Sequence, residues 1–131
     1  MTRTVRQSVV LPTPAAALYR MYLDSRTHSA IIDATARITP RVGGKFSAWD
    51  GDIHGTILQL VPKRLVVQSW RASDWKKSDL DSTLILSFHP DPRGGRIDLV
   101  HVNVPDRHAS GVNEGWREFY WKPWRAYLGR R

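Results

Sequence analysis

Five histidines are the side chains best suited to acid–base or metal chemistry in this chain: His28, His54, His89, His101 and His108. No two are four residues apart, the spacing that sets paired imidazoles on one helical face, and none opens a His-x-Glu pattern. A pair on neighbouring strands, such as His54 with His101, is the one route left to a shared metal. A structural zinc wants four ligands, so no metal or other cofactor is expected. With no cysteine in the sequence, thiolate catalysis, disulfides and cysteine-ligated metal are excluded together. Ser69, Ser82 and Ser87 fall in strand-like runs without a Gly-x-Ser-x-Gly elbow or any sign of a base. Asp50 and Asp52 belong to a turn, while Asp79 and Asp81 mark a strand entry. Gly43-Gly44 and Gly94-Gly95 lack the strand–loop–helix setting of a phosphate loop. No catalytic residue is assigned, and a non-enzymatic protein is expected. His101 is the best polar candidate, able to bond a ligand carbonyl or act as acid or base. The favoured reading is plainer: a core histidine held by a tyrosine hydroxyl or a backbone carbonyl.

The elements that would position such groups begin with the last quarter of the chain. Gly111 to Leu128 reads as one helix carrying Trp116, Phe119, Tyr120, Trp121 and Trp124, beginning after Pro105-Asp106 near His108 to Ser110. Val112, Trp116, Phe119, Tyr120, Pro123 and Tyr127 recur at three- and four-residue spacing, which turns one stripe toward a sheet. Trp121, Trp124 and Leu128 fall on a neighbouring face, where the two tryptophans would cover the domain edge or a partner. Pro123 removes one backbone bond and is expected to kink the helix.

Upstream, Thr4 to Val10 is β-rich and ends at Leu11-Pro12. Thr13 then reads as the N-cap of a helix with Pro14 at its first position, and a second short helix covers about Arg26 to Ile32 after Asp24-Ser25. Lys45–Trp49, a run after the Asp50-Gly51-Asp52 hairpin signal, Arg64–Trp70, Ser82–Phe88 and Arg96–Val104 read as strands of one antiparallel meander. Alternation puts Ile97, Leu99, His101 and Asn103 on one face of the last strand. The opposite assignment is open because Val100, Val102 and Val104 are apolar too.

Length bounds the chain to one domain over residues 1–131, and 41% hydrophobic content is enough for one core. No apolar run approaches a membrane span, and the first residues lack the pattern of a signal peptide, so a cytoplasmic location is expected. The formal charge of +8 is spread along the chain, with short clusters only at Lys76-Lys77 and Arg130-Arg131. Without a basic stripe or a nucleic-acid motif, the charge reads as a solvated surface and nucleic acid is not an expected partner.

The order of strand, two short helices, antiparallel meander and long closing helix resembles the START-like, helix-grip superfamily. More narrowly, the chain resembles the family of the heat-shock protein 90 ATPase activator and its bacterial relatives. The segments that carry this are LYRMYLDSRTH (Leu18 to His28), PRVGGKFSAWDGDIHG (Pro40 to Gly55), LVPKRLVVQSWR (Leu60 to Arg71), LILSFHP (Leu84 to Pro90), IDLVHVNVP (Ile97 to Pro105) and GWREFYWKPWRAYL (Gly115 to Leu128). The resemblance implies an α+β fold, a curved antiparallel sheet of six to seven strands wrapped around a long C-terminal helix. It also implies a cavity between sheet and helix that binds apolar molecules.

On that fold the expected function is non-enzymatic binding of a small hydrophobic or aromatic ligand. Trp49, Trp70 and Trp116 would form an aromatic wall, Leu86 and Leu99 would add apolar surface, and Gln68, His101 and Tyr120 would orient the ligand by hydrogen bonds. Trp75, in a polar loop, reads as a residue of the pocket mouth or of a subunit contact. Two alternatives stand beside this: a co-chaperone-like interaction domain with a protein partner or a second copy, and a cyclase/dehydratase-type enzyme using the same pocket.

Overall fold

Alternating burial along four long strands builds a concave apolar surface, and the helices fill it. In the computed structural model, which describes residues 1–130, the strands are β1 (Thr2–Leu11), β2 (Arg37–Ile38), β3 (Lys45–Ala48), β4 (Ile53–Val61), β5 (Leu65–Ala72), β6 (Ser82–Asp91) and β7 (Gly94–Pro105). They form one antiparallel sheet in the order β1-β7-β6-β5-β4-β3-β2, so the first strand closes against the last. Val66, Gln68 and Trp70 of β5 face inward with Ser82, Leu84, Leu86 and Phe88 of β6 and Ile97, Leu99 and His101 of β7. The inward assignment of His101 is the one the structure adopts.

Asn103 departs from it. Its φ of 65° is left-handed, and between the Val5–His101 and Arg3–Val104 pairs β7 has one residue more than β1. This bulge reverses the alternation, turns Val104 into the core and leaves Asn103 donating from Nδ2 to the Asp81 carbonyl. A second bulge at Leu58, between Ile57 and Gln59, bends β4. Between β6 and β7 the strands run on to a two-residue turn, tighter than the sequence suggests. Gly94 supplies a φ of 140° there, and a Cβ on it would meet the Leu11 carbonyl oxygen at 2.3 Å.

Helices α1 (Ala15–Leu23) and α2 (Ser25–Ile32) follow β1. Pro14, not Thr13, holds the cap position of α1 and no side chain caps it, whereas Asp24 caps α2 by accepting from the Thr27 amide at 2.9 Å. The closing helix starts earlier than its apolar periodicity indicates. Its first part, α3 (Asp106–Trp116), springs directly from β7 with Asp106 in its first turn, where a carboxylate complements the helix dipole.

A π turn then runs over Arg117–Trp121, closed by the Lys122 amide donating to the Arg117 carbonyl, before α4 (Lys122–Gly129) continues the helix. The irregularity expected from Pro123 is this wide turn just ahead of it. Its extra residue re-aims the aromatics. Tyr120, Trp121 and Trp124 are all buried, and Phe119 is pushed out to 57% exposure. Trp121 and Trp124 therefore cover neither edge nor partner: the indoles of Trp116, Trp121 and Trp124 stack in series at 5.7 and 6.2 Å. Gln7 fastens this arrangement to β1. It accepts from Trp121 Nε1 at 2.7 Å and donates to the Asn113 carbonyl at 2.7 Å. Among the described residues no helix is long and apolar enough to cross a membrane.

Candidate functional site

Two glycines four apart on α3 leave a bare strip of helix facing the ends of β4 and β5. Gly111 and Gly115 sit mid-helix, where glycine costs about 0.5–1 kcal/mol against alanine. Nothing steric demands them. A Cβ on Gly111 would meet no atom within 4 Å, and one on Gly115 would meet only the Phe119 ring at 3.7 Å. Over this strip lies a cleft of about 440 Å³. Its walls are Trp70 and Ala72 of β5, Ile53 of β4, Trp75 from the β5–β6 loop, Val112 and Trp116 of α3, and Phe119 and Tyr120 of the π turn. Asp52, Asp74, Arg107 and His108 complete the lining.

Trp75 comes from a polar stretch yet is only 7% exposed. Its loop is tied down by Arg71, which donates to the carbonyls of Lys76 (2.5 Å) and Asp79 (2.9 Å) and to the Asp81 carboxylate (2.9 Å). Arg107 of α3 holds the loop from the other side by an ion pair with Asp79, which keeps that carboxyl below its ordinary range. The Trp75 ring is thereby pinned between Trp70, with centroids 5.7 Å apart, and the stacked ring of His108, also at 5.7 Å. Trp75 belongs to the cleft wall rather than to an exposed contact surface.

Trp49 stands behind the far rim. The hairpin loop bends through positive φ at Trp49 (55°), Asp50 (58°) and Gly51 (93°), a conformation bulky side chains rarely adopt. Thr35 holds it there, its carbonyl accepting from the Asp50 amide and its amide donating to Asp50 Oδ1, both at 3.1 Å. The Trp49 ring meets Phe119 edge-on at 5.6 Å and Tyr120 at 6.4 Å, and does not itself line the cleft.

Of the eight residues expected to bind ligand, the structure brings Trp70, Trp116 and Tyr120 together in the cleft. Leu86 and Leu99 lie in the sealed core at 0% and 1% exposure and have no share in it. Gln68 is buried as well, its Oε1 accepting from the Tyr22 hydroxyl at 2.8 Å. His101 sits behind Trp70 and Trp116 rather than beside the opening.

The bonding of His101 fixes its protonation. An indole N–H can only donate, so Trp116 Nε1 gives its hydrogen to His101 Nδ1 (3.2 Å) and the imidazole proton rests on Nε2. That proton goes to Ser82 Oγ at 2.8 Å, and Ser82 donates in turn to the Trp70 carbonyl at 2.6 Å. His101 is thus a donor toward Ser82 and cannot take its proton, so the pair is no nucleophile and base. Burial lowers the His101 pKa to about 3. His101 is a satisfied core histidine, but its partners are a serine and an indole rather than the expected tyrosine or carbonyl.

A second buried imidazole joins α2 to the closing helix. His28 Nδ1 donates to the Tyr22 carbonyl (2.7 Å), leaving Nε2 to accept from the Tyr120 hydroxyl (2.9 Å). Burial lowers His28 to about 4 and raises the Tyr120 phenol. His54 pairs across to Arg71 of β5 and is separated from β7 by two strands, so no His54–His101 site forms. No three histidine or acidic residues gather as metal ligands among the described residues.

The sheet wrapped around a closing helix is the helix-grip arrangement, and comparison with known proteins places it. The family model described as "Activator of Hsp90 ATPase homolog 1-like protein" matches residues 12–129. The chain belongs to this family. The human activator of 90 kDa heat shock protein ATPase homolog 1 is 26% identical over 110 residues, covering 84% of this chain and 32% of that protein. The chain thus spans about a third of the length of that relative. The crystal structure of an HSP90 activator from Plasmodium falciparum superposes with a TM-score of 0.82 at 22% identity, covering 98% of this chain and 96% of that one. A Mesorhizobium loti protein gives 0.84 at 21% identity, with 98% of each chain covered. At these identities the two structures establish a shared START-like fold for the activator-like chain.

Proposed function

We propose that this activator-like domain binds a small, flat, apolar or aromatic molecule in the cleft over α3, without chemical turnover. The observation that carries the reading is the cleft itself. Its volume of about 440 Å³ lies within the span typical of small-molecule sites, and its walls are five aromatic rings and a bare helix strip beside a few polar groups. The binding residues of this proposal are Trp70, Trp75, Trp116, Phe119 and Tyr120, with Gly111 and Gly115 as the floor. Burying roughly 200 Å² of ligand would supply about 5 kcal/mol before association costs, which points to micromolar or weaker affinity. The reading is non-enzymatic because His101, the strongest acid–base candidate of the sequence, is spent in the core. A cytoplasmic location fits it.

A second reading has its own support. The relatives are named as activators of a heat-shock protein ATPase, and Phe119 stands half out of the surface against Trp49. A protein partner, or a second copy, would then seat an apolar side chain at the same rim. Native mass spectrometry of protein purified from its own host separates the two. A retained small molecule of discrete mass supports the first reading. Ligand-free protein held in a complex through the Phe119 rim supports the second.

A further inference from the structure

Resting on the ligand reading, we infer that the cleft selects a cationic ligand, an aromatic amine, although the chain as a whole carries +8. The local balance is opposite to the global one. Of the charged residues lining the cleft, Asp52 and Asp74 are acidic and Arg107 alone is basic. Arg107 is already neutralised by Asp79, a carboxylate outside the lining. Arg71 is turned away as well, its guanidinium held by Asp81 and the loop carbonyls and lying 5.9 Å over the Trp75 ring.

Lys76 and Lys77 follow Trp75 in the same loop but do not line the cleft. The two carboxylates are exposed, and neither is in an ion pair among the described residues. The Asp52 carboxylate accepts from the Ser73 hydroxyl, and no cation among the described residues bonds to it. An ammonium group on a flat ring would rest between these carboxylates while the ring lies along Gly111 and Gly115. Electron-rich aromatic walls favour a cation further. An anionic analogue would meet unpaired negative charge at the same mouth.

Calorimetric titration of the intact protein at low salt with 2-naphthylmethylammonium, 2-naphthylmethanol and 2-naphthoate tests this. The ammonium probe is expected to bind roughly fivefold or more tightly than the alcohol, as one or two exposed charge pairs would give, and the carboxylate more weakly than either. Asp52→Asn with Asp74→Asn, which keep shape and hydrogen bonding, should abolish the preference and leave the alcohol's affinity alone. Salt near 0.5 M should shrink the difference. Equal binding of all three, or a preference for the carboxylate, overturns the inference while the ligand reading survives. Binding of none of the three overturns both.

Discussion

Gly111 provides the clearest perturbation, because stability and binding are expected to move in opposite directions. In an ordinary packed helix, adding a side chain where glycine is needed for close approach causes a clash. Here a Cβ meets nothing within 4 Å, so Gly111→Ala should simply remove the helix cost of glycine and stabilise by about 0.5–1 kcal/mol. For a chain of 131 residues that is a rise of roughly 2–5 °C in Tm. Gly111→Leu should fold at least as well as the wild type, since leucine is a strong helix former. Its side chain would fill part of the 440 Å³ cleft. Excluding a ring from about 60 Å² of that floor forfeits about 1.5 kcal/mol, a tenfold loss of affinity. Urea denaturation and calorimetric titration with a naphthyl probe read the two effects separately. A Gly111→Leu protein that is less stable than the wild type, or that binds the probe undiminished, would refute the reasoning.

Removing Ser82 (Ser82→Ala) leaves the His101 Nε2–H and a buried carbonyl short of a partner. About 1–3 kcal/mol of stability should be lost by urea denaturation, with no change in probe affinity; a neutral result would mean the chain of bonds is not formed. Gln7→Leu strands the Trp121 N–H and the Asn113 carbonyl, and should cost a similar amount while weakening amide-exchange protection where β1 meets α3. Trp121→Ala should cost about 3–5 kcal/mol as a core truncation, whereas a surface or partner role would leave the monomer's stability near wild type. Acid should destabilise the fold well above the carboxylate range. His28 and His101 stay neutral when folded, down to about pH 4 and 3, but take up protons near pH 6.5 when unfolded. Their contribution is complete above pH 6.5 and falls with pH below it, by roughly 4 kcal/mol in all between pH 7.5 and 5. Urea midpoints that are flat over that range would contradict their burial as neutral groups.

Much of this architecture is legible in the residues. The period-two runs give β5, β6 and β7, with the inward faces of the first two, Asp50-Gly51-Asp52 gives its hairpin, and Asp24 gives the cap of α2; β7 is apolar on both faces, so alternation alone leaves its inward side open. What alternation cannot show is the bulge at Asn103, because one residue in a left-handed conformation reverses the strand's face. Helical spacing assumes 3.6 residues per turn, so the π turn hides that Trp121 and Trp124 point inward and Phe119 outward. Most of the residues expected to bind ligand sit on strands, with Trp116 and Tyr120 on the closing helix. A strand's inward face is mostly core, which is where Gln68, Leu86, Leu99 and His101 lie. The cleft instead forms at the end of the sheet, from a tied-down loop and from side chains that are missing. The available signal was Gly111 and Gly115, four apart in a helix otherwise rich in large residues.

The proposed function turns on occupancy of the cleft over α3 by a flat apolar ligand. It is tested most directly by a ¹H–¹⁵N titration of the labelled protein with 2-naphthylmethylammonium. Saturable shifts are expected at the backbone amides of Gly111, Gly115 and Phe119 and at the indole signals of Trp70 and Trp75, with Leu86, Leu99 and Gln68 unmoved. Shifts confined to another face of the sheet, or none up to millimolar probe, would contradict it.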